Sequence, residues 1–203
     1  VLAGVPAFTA TSGPGLSLMQ EGLGLAFVYG APIVVVDVQR SGPSTGRPTR
    51  AGQGEIFASR FGSHGDILPF VFYPTSVEEC YQLTITAFEA AWQYRVPVIL
   101  LSDAYLASMR EKVKVQKAKG KTTTQKIKHY TGLTDRKTIA QKIAKIREVG
   151  KKEYRLFNLW GNANSDTLLI GLGSMARALR AFENCYQIFA PLRIWPFLAD
   201  DVR

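Results

Sequence analysis

Two apolar runs, APIVVVDV (residues 31–38) and VPVILLSD (residues 96–103), constrain this chain more than any other feature. A strand with one face in water alternates apolar and polar residues. A run without alternation reads as a parallel strand covered on both faces. ILPFVFYP (67–74) is a third strand candidate, and AFTATSG (7–13) a short one that ends in a Ser-Gly-Pro-Gly turn. Helical patterns separate them. LSLMQEGLGLAFVYG carries apolar residues at helical spacing, with Gly30 placed to stop it. In TSVEECYQLTITAFEAAWQYR, Ser76 and Glu79 form a capping-box pattern ahead of a long amphipathic helix. Strands alternating with helices predict an α/β fold built on a parallel sheet.

The chain divides by composition. Its 203 residues carry a net charge of +9. Arg110 to Arg155 holds sixteen Lys or Arg against four acids, and the remainder nine against twelve. Residues 1–109 therefore read as one α/β domain, 110–165 as a basic linker or helical segment, and 166–203 as the start of a second, small α/β unit. Within the basic segment, TIAQKIAKIREVGKKEY predicts an amphipathic helix with Ile139, Ile143 and Ile146 on one face. DTLLIGLGSMARALRAF reads as strand, glycine turn and helix, and FAPLRIWPF as one further strand. No apolar run is long enough to span a bilayer, and the first residues do not resemble a signal peptide, so a cytoplasmic location is expected. Cys80 and Cys185 are expected to be buried reduced thiols. HExxH and zinc-ligand spacings are missing from the sequence. The basic segment lacks the interleaved aromatics of a nucleic-acid binder, which disfavours that partner class, although a non-catalytic basic module docking an acidic protein or nucleic acid stays as the alternative reading.

In open α/β sheets, ligands bind at the carboxyl ends of the strands. One such end carries Thr11, Ser12, Gly13, Pro14 and Gly15, small residues that let a ligand approach the backbone, ahead of helix N–H groups that favour an anion. The second is VVVDVQRSGPSTGRPTRAGQGE (34–55). Arg40 follows the apolar run, where a guanidinium could grip a carboxylate through two hydrogen bonds or stand solvated. Ser44, Thr45 and Thr49 add hydroxyls. In GSHGD, His64 reads either as a ligand-facing imidazole or as a loop histidine with a structural role. GLGSMA (171–176) fits a loose dinucleotide fingerprint, but no acid follows at the ribose spacing, so a packing turn between strand and helix is favoured.

TATSGPGLSLMQEGLGLA, VVVDVQRSGPSTGRPT, GSHGD and VPVILLSDAYLA occur in order. Together they resemble the alpha subunit of 2-oxoacid:ferredoxin oxidoreductases of the 2-oxoglutarate or branched-chain type. The likeness resumes at HYTGL and, more weakly, from Asp166 onward. It implies a thiamine-diphosphate-binding domain of the pyrimidine type, followed by part of a transketolase-C-terminal-like α/β domain. It implies oxidative decarboxylation of a 2-oxoacid to an acyl-CoA, with electrons passed to ferredoxin. A beta subunit, with gamma and delta subunits as further candidates, would carry Mg2+ and the Fe–S clusters, and the chain alone would be inactive. By position, Arg40 matches the family arginine that grips the substrate carboxylate, and Thr11 to Gly15 match the loop lining the thiamine pocket. Ser41, Ser44, Thr45 and His64 are candidate loop contacts. No catalytic residue and no metal ligand is assigned to this chain. The family's YPITPSS-like segment and its thiamine-activating glutamate have no counterpart here, and Glu21, which lies after the TSGPG loop, does not replace it.

Overall fold

The computed structural model describes residues 1–111, 136–149 and 157–195. In chain order the first part contains β1 (Ala7–Thr11), α1 (Pro14–Leu18), α2 (Gln20–Tyr29), β2 (Ile33–Ser41), β3 (Arg47–Ala51), α3 (Ile56–Phe61), β4 (Phe70–Phe72), α4 (Val77–Tyr94), β5 (Val98–Asp103) and α5 (Ala104–Ser108). After these come α6 (Arg136–Val149), β6 (Phe157–Gly161), β7 (Leu168–Ile170), α7 (Gly173–Leu179), a 3-10 turn (Arg180–Phe182), β8 (Gln187–Pro191) and β9 (Arg193–Trp195).

The larger sheet has the order β1-β2-β5-β4-β9, with β3 folded back on β2. The first four strands are parallel and β9 is antiparallel to β4. The expected two-faced burial is present. On one face Val34, Val98, Leu100, Phe70 and Phe72 pack with Leu83, Ala87, Ala90 and Ala91 of α4 and with Ile146 of α6. On the other, Val35, Ile99, Leu101, Val71 and Tyr73 pack with Leu16, Leu23 and Leu106 of α1, α2 and α5. A buried aliphatic side chain of this kind contributes about 1.5–3 kcal/mol. Ala87, Ala90 and Ala91 let α4 lie close on the sheet, and a larger residue there would overpack it.

Local signals explain the element ends. Gly30 closes α2 in the left-handed conformation, φ 68°. Ser76 caps α4, its Oγ accepting from the Glu79 N–H. Glu79 does not complete a capping box. Its carboxylate instead accepts from the Thr75 N–H and hydroxyl and, at 2.7 Å, from Asn158 Nδ2 on β6.

Several expectations change. β2 runs on through Arg40 and Ser41, and residues read as open loop form β3, antiparallel to its end. FAPLRIWPF is two strands rather than one: β8 joins β6 and β7 in a small sheet, whereas β9 adds to the larger one. The chain turns between them at Leu192, whose carbonyl accepts from the Tyr73 N–H at 2.8 Å. Cys80 is half-buried and Cys185 exposed, so only the first approaches the expected burial. The amphipathic helix forms as α6, with Ile146 buried and Ile143 packed on the core, while the Ile139 side chain lies outside the described residues. Residues 112–135 and 150–156, which make up most of the basic segment, also lie outside them. No described helix is long and apolar enough to cross a membrane.

Candidate functional site

The two strands pair in register with Thr11, the last residue of β1, beside Asp37, and β2 runs on four residues to Ser41, so Arg40 stands just past the end of β1. After Thr11 the chain turns through Gly13, at φ 57°, and Pro14 occupies the start of α1. A Cβ on Gly13 would stand 3.0 Å from Cζ of Arg40 and 3.1 Å from its Nε, so the bare glycine is what lets the guanidinium lie against this turn. A Cβ on Gly15 would collide with Oγ1 of Thr11. The expected N–H anion site does not form here. The Gly15 and Leu16 N–H groups donate to the carbonyls of Ser12 and Gly13, and α1 has only five residues. Positive charge at this strand end comes from Arg40 instead.

Arg40 ties the two loops together. Its Nε donates to Ser12 Oγ at 3.0 Å and its Nη1 to the Thr45 carbonyl at 2.6 Å, with the Ser41 carbonyl at 3.5 Å. Nη2 makes no hydrogen bond among the described residues. Ser41 and Thr45 thus meet Arg40 through carbonyls, and Thr45 does so without the hydroxyl singled out in the sequence. Ser44 (φ 53°) and Thr49 are exposed, as are Arg47 and Arg50. His64 is exposed in the loop after α3.

Beneath Arg40 lies a layer of polar side chains that sequence reasoning missed. Asp37 and Gln39 are both fully buried on β2. Gln39 Oε1 accepts from the Glu55 N–H at 3.2 Å, and its Nε2 donates to the Ser102 carbonyl at 3.3 Å. Both Asp37 carboxyl oxygens and Glu55 Oε2 are buried without a hydrogen-bond partner among the described residues. Burial, and then the charge of Glu55, push the Asp37 carboxyl up to about 7, against an opposing pull from Arg40. Burial also raises Glu55. Further along, the Tyr73 hydroxyl donates to Asp103 Oδ2 at 2.8 Å, and the Ser174 N–H donates to the same oxygen at 3.2 Å. Asp103 Oδ1 caps α5 through the N–H groups of Tyr105 and Leu106. Burial works to raise Asp103, but these bonds outweigh it and leave the carboxyl lowered. Burial, then the Asp103 charge, raise Tyr73 above the ordinary phenol range. The GLGSMA turn packs into this layer. Gly173, at φ 52°, lies against the Tyr73 ring, and the Leu172 carbonyl accepts from Gln53 Nε2. One signal could have revealed the layer: Asp37 and Gln39 hold alternate positions in a strand that is otherwise apolar where it is buried.

Among the described residues no three His, Cys, Asp or Glu side chains converge to hold a metal ion.

Comparison with known proteins matches residues 1–156 to the family described as pyruvate flavodoxin/ferredoxin oxidoreductase, thiamine-diphosphate-binding. The chain is 54% identical over 110 residues to the 2-oxoglutarate synthase subunit KorA of Methanocaldococcus jannaschii, covering 54% of this chain and 30% of that one. It is 46% identical over 113 residues to the ketoisovalerate oxidoreductase subunit VorB of Methanothermobacter marburgensis, covering 54% and 31%. Among solved structures it is similar to the 2-oxoglutarate:ferredoxin oxidoreductase from Magnetococcus marinus, determined with 2-oxoglutarate, coenzyme A and succinyl-CoA bound. That likeness has a TM-score of 0.78 at 28% identity and covers 99% of this chain and 44% of that one. The matched stretch thus spans about a third of the length of these curated relatives. With a parallel sheet, a glycine turn at β1 and a family match over most of its length, the chain belongs to the thiamine-diphosphate-binding family of the pyruvate flavodoxin/ferredoxin oxidoreductases.

Proposed function

We propose that this chain is part of the alpha subunit of a thiamine-dependent 2-oxoacid:ferredoxin oxidoreductase, which converts 2-oxoglutarate or a related 2-oxoacid to an acyl-CoA and passes electrons to ferredoxin. The observation that carries the reading is Arg40, held by Ser12 and Thr45 at the joint carboxyl ends of β1 and β2 in a chain of this family. Arg40 would bind the substrate carboxylate. Its Nε and Nη1 are spent on positioning, which leaves Nη2 to donate to the substrate. A cation fixed in this way orients the 2-oxoacid and complements its charge until CO2 departs. Carboxylates are released least readily by a group that is both charged and pre-oriented.

Thiamine diphosphate, when bound, supplies the electron sink for the decarboxylation. Thr11, Ser12, Gly13, Pro14 and Gly15 would line the pocket of its aminopyrimidine ring. The small side chains of this turn and the hydroxyls of Thr11 and Ser12 fit a flat, polar ring, beside the Gly13 surface that Arg40 occupies. A diphosphate with a divalent cation needs an oxygen-rich ligand set, so that half of the cofactor is assigned to a beta subunit, and the Fe–S clusters to partner subunits. Ser41 and Thr45 act through their carbonyls on Arg40. Ser44 and His64, both exposed, are available to a ligand or partner chain. Residues 1–109 would form the pyrimidine-type domain and 166–203 part of the transketolase-C-terminal-like unit, with 110–165 linking them. The reading carries with it a cytoplasmic location.

The test is reconstitution. The full-length alpha chain, co-purified with its beta subunit, should reduce ferredoxin or a viologen in a CoA-dependent reaction with at least one 2-oxoacid. Absence of reduction with every 2-oxoacid tried would contradict the proposal.

A further inference from the structure

Asp37 is an unusual neighbour for a substrate-binding arginine. Its side chain is fully buried in the middle of β2, beside the carboxyl end of β1 and three positions before Arg40, and neither of its oxygens has a hydrogen-bond partner among the described residues. An ionised carboxylate without hydrogen bonds or an ion pair is costly inside a protein, so such a group keeps its proton. Glu55 adds to the same effect. It is placed by the bond from its own N–H to Gln39, which shares a strand face with Asp37, and its Oε2 is likewise buried and without a partner among the described residues. The charged groups that act on Asp37 are Glu55, just before α3, and Arg40 on its own strand. Its register neighbours, Thr11 on β1 and Leu101 on β5, carry no charge.

Resting on the reading of Arg40 as the grip on the substrate carboxylate, we infer that Asp37 is a positioning residue that sets the charge Arg40 presents: it stays protonated while the 2-oxoacid binds, and its ionisation weakens that binding. With Asp37 neutral, the positive charge of Arg40 is directed at the ligand alone. Once Asp37 loses its proton to solvent, a buried anion offsets the charge of Arg40 through space and repels the incoming carboxylate. The coupling is reciprocal. A bound 2-oxoacid draws on the field of Arg40 that otherwise favours ionised Asp37, so the proton on Asp37 is held more tightly in the complex. Burial and the Glu55 charge put the transition near neutrality, about 7, within the working range of an enzyme.

The experiment is the pH dependence of KM and kcat for the 2-oxoacid in the complete enzyme, with the full-length alpha chain. In the wild-type enzyme KM should rise roughly tenfold between about pH 6 and pH 8.5, with kcat changing less. In Asp37→Asn, which cannot ionise, KM should be flat over that range. In Glu55→Gln, which removes the negative charge that helps Asp37 keep its proton, the rise should move to lower pH. A wild-type rise that persists in Asp37→Asn, or a Glu55→Gln curve that stays in place or moves upward, overturns the inference. If Asp37→Asn does not assemble, the Glu55→Gln curve alone decides. Arg40→Ala separates this inference from the reading beneath it. An unchanged KM in Arg40→Ala removes Arg40 from the site, whereas a raised KM combined with a failed Asp37→Asn curve rejects only the role of Asp37.

Discussion

Gly13 and Arg40 restrain each other. The left-handed φ of 57° at Gly13 favours glycine, and the space above its Cα is filled by the guanidinium. Gly13→Ala should therefore cost about 1 kcal/mol of stability through backbone strain and also displace Arg40. The expected result is a folded enzyme with a raised KM for the 2-oxoacid, checked by thermal unfolding alongside steady-state kinetics. Asp37 makes a prediction about stability as well as binding. Its folded carboxyl holds its proton up to about pH 7, well above the ordinary carboxylate value. Between those values the folded state binds more protons than the unfolded one, so wild-type stability falls as pH rises through this window. Asp37→Asn lacks that loss. Relative to wild type it should gain about 3 kcal/mol on going from pH 5 to pH 8, measured by denaturant unfolding at the two pH values.

At the scale of elements, buried polar contacts join the small sheet and α7 to the large sheet. Asn158 on β6 reaches Glu79 of α4, and Asp103 at the end of β5 takes the Ser174 N–H of α7. Asn158→Ala would leave a buried carboxylate oxygen short of a donor and should cost about 1–3 kcal/mol, read by denaturant unfolding. Tyr73→Phe removes one of the donors to Asp103 and should cost about 1–2 kcal/mol by the same measurement. The central strands were legible in the sequence because burial on both faces requires unbroken apolar runs, and α4 because Ser76 marks its start. β3 was not legible: RPTRA has no alternation, and its pairing comes from the fold-back of β2. Nor was the split of β8 from β9, because Pro191 and Leu192 continue an apolar run while the backbone changes sheets. Within the site, Arg40 and the glycine turn stood out by residue type. The layer of Asp37, Gln39, Glu55, Tyr73 and Asp103 did not, since it exists only once β2, β4 and β5 are set in register.

At the scale of the whole molecule, the parallel sheet serves as a rigid mount. It brings the ends of β1 and β2 together, and the helices on its two faces fix them there. The loops can then be rich in glycine and proline while Arg40 keeps one orientation, held by Ser12 on one side and Thr45 on the other. The central claim is that this arginine grips the carboxylate of a 2-oxoacid. It is tested most directly by the KM for the 2-oxoacid in the complete enzyme, wild type against Arg40→Ala. Loss of a charge-assisted hydrogen bond worth about 1.5–3 kcal/mol should raise KM roughly 10- to 100-fold, with Arg40→Lys falling between the two. A KM in Arg40→Ala equal to that of the wild type would contradict the claim.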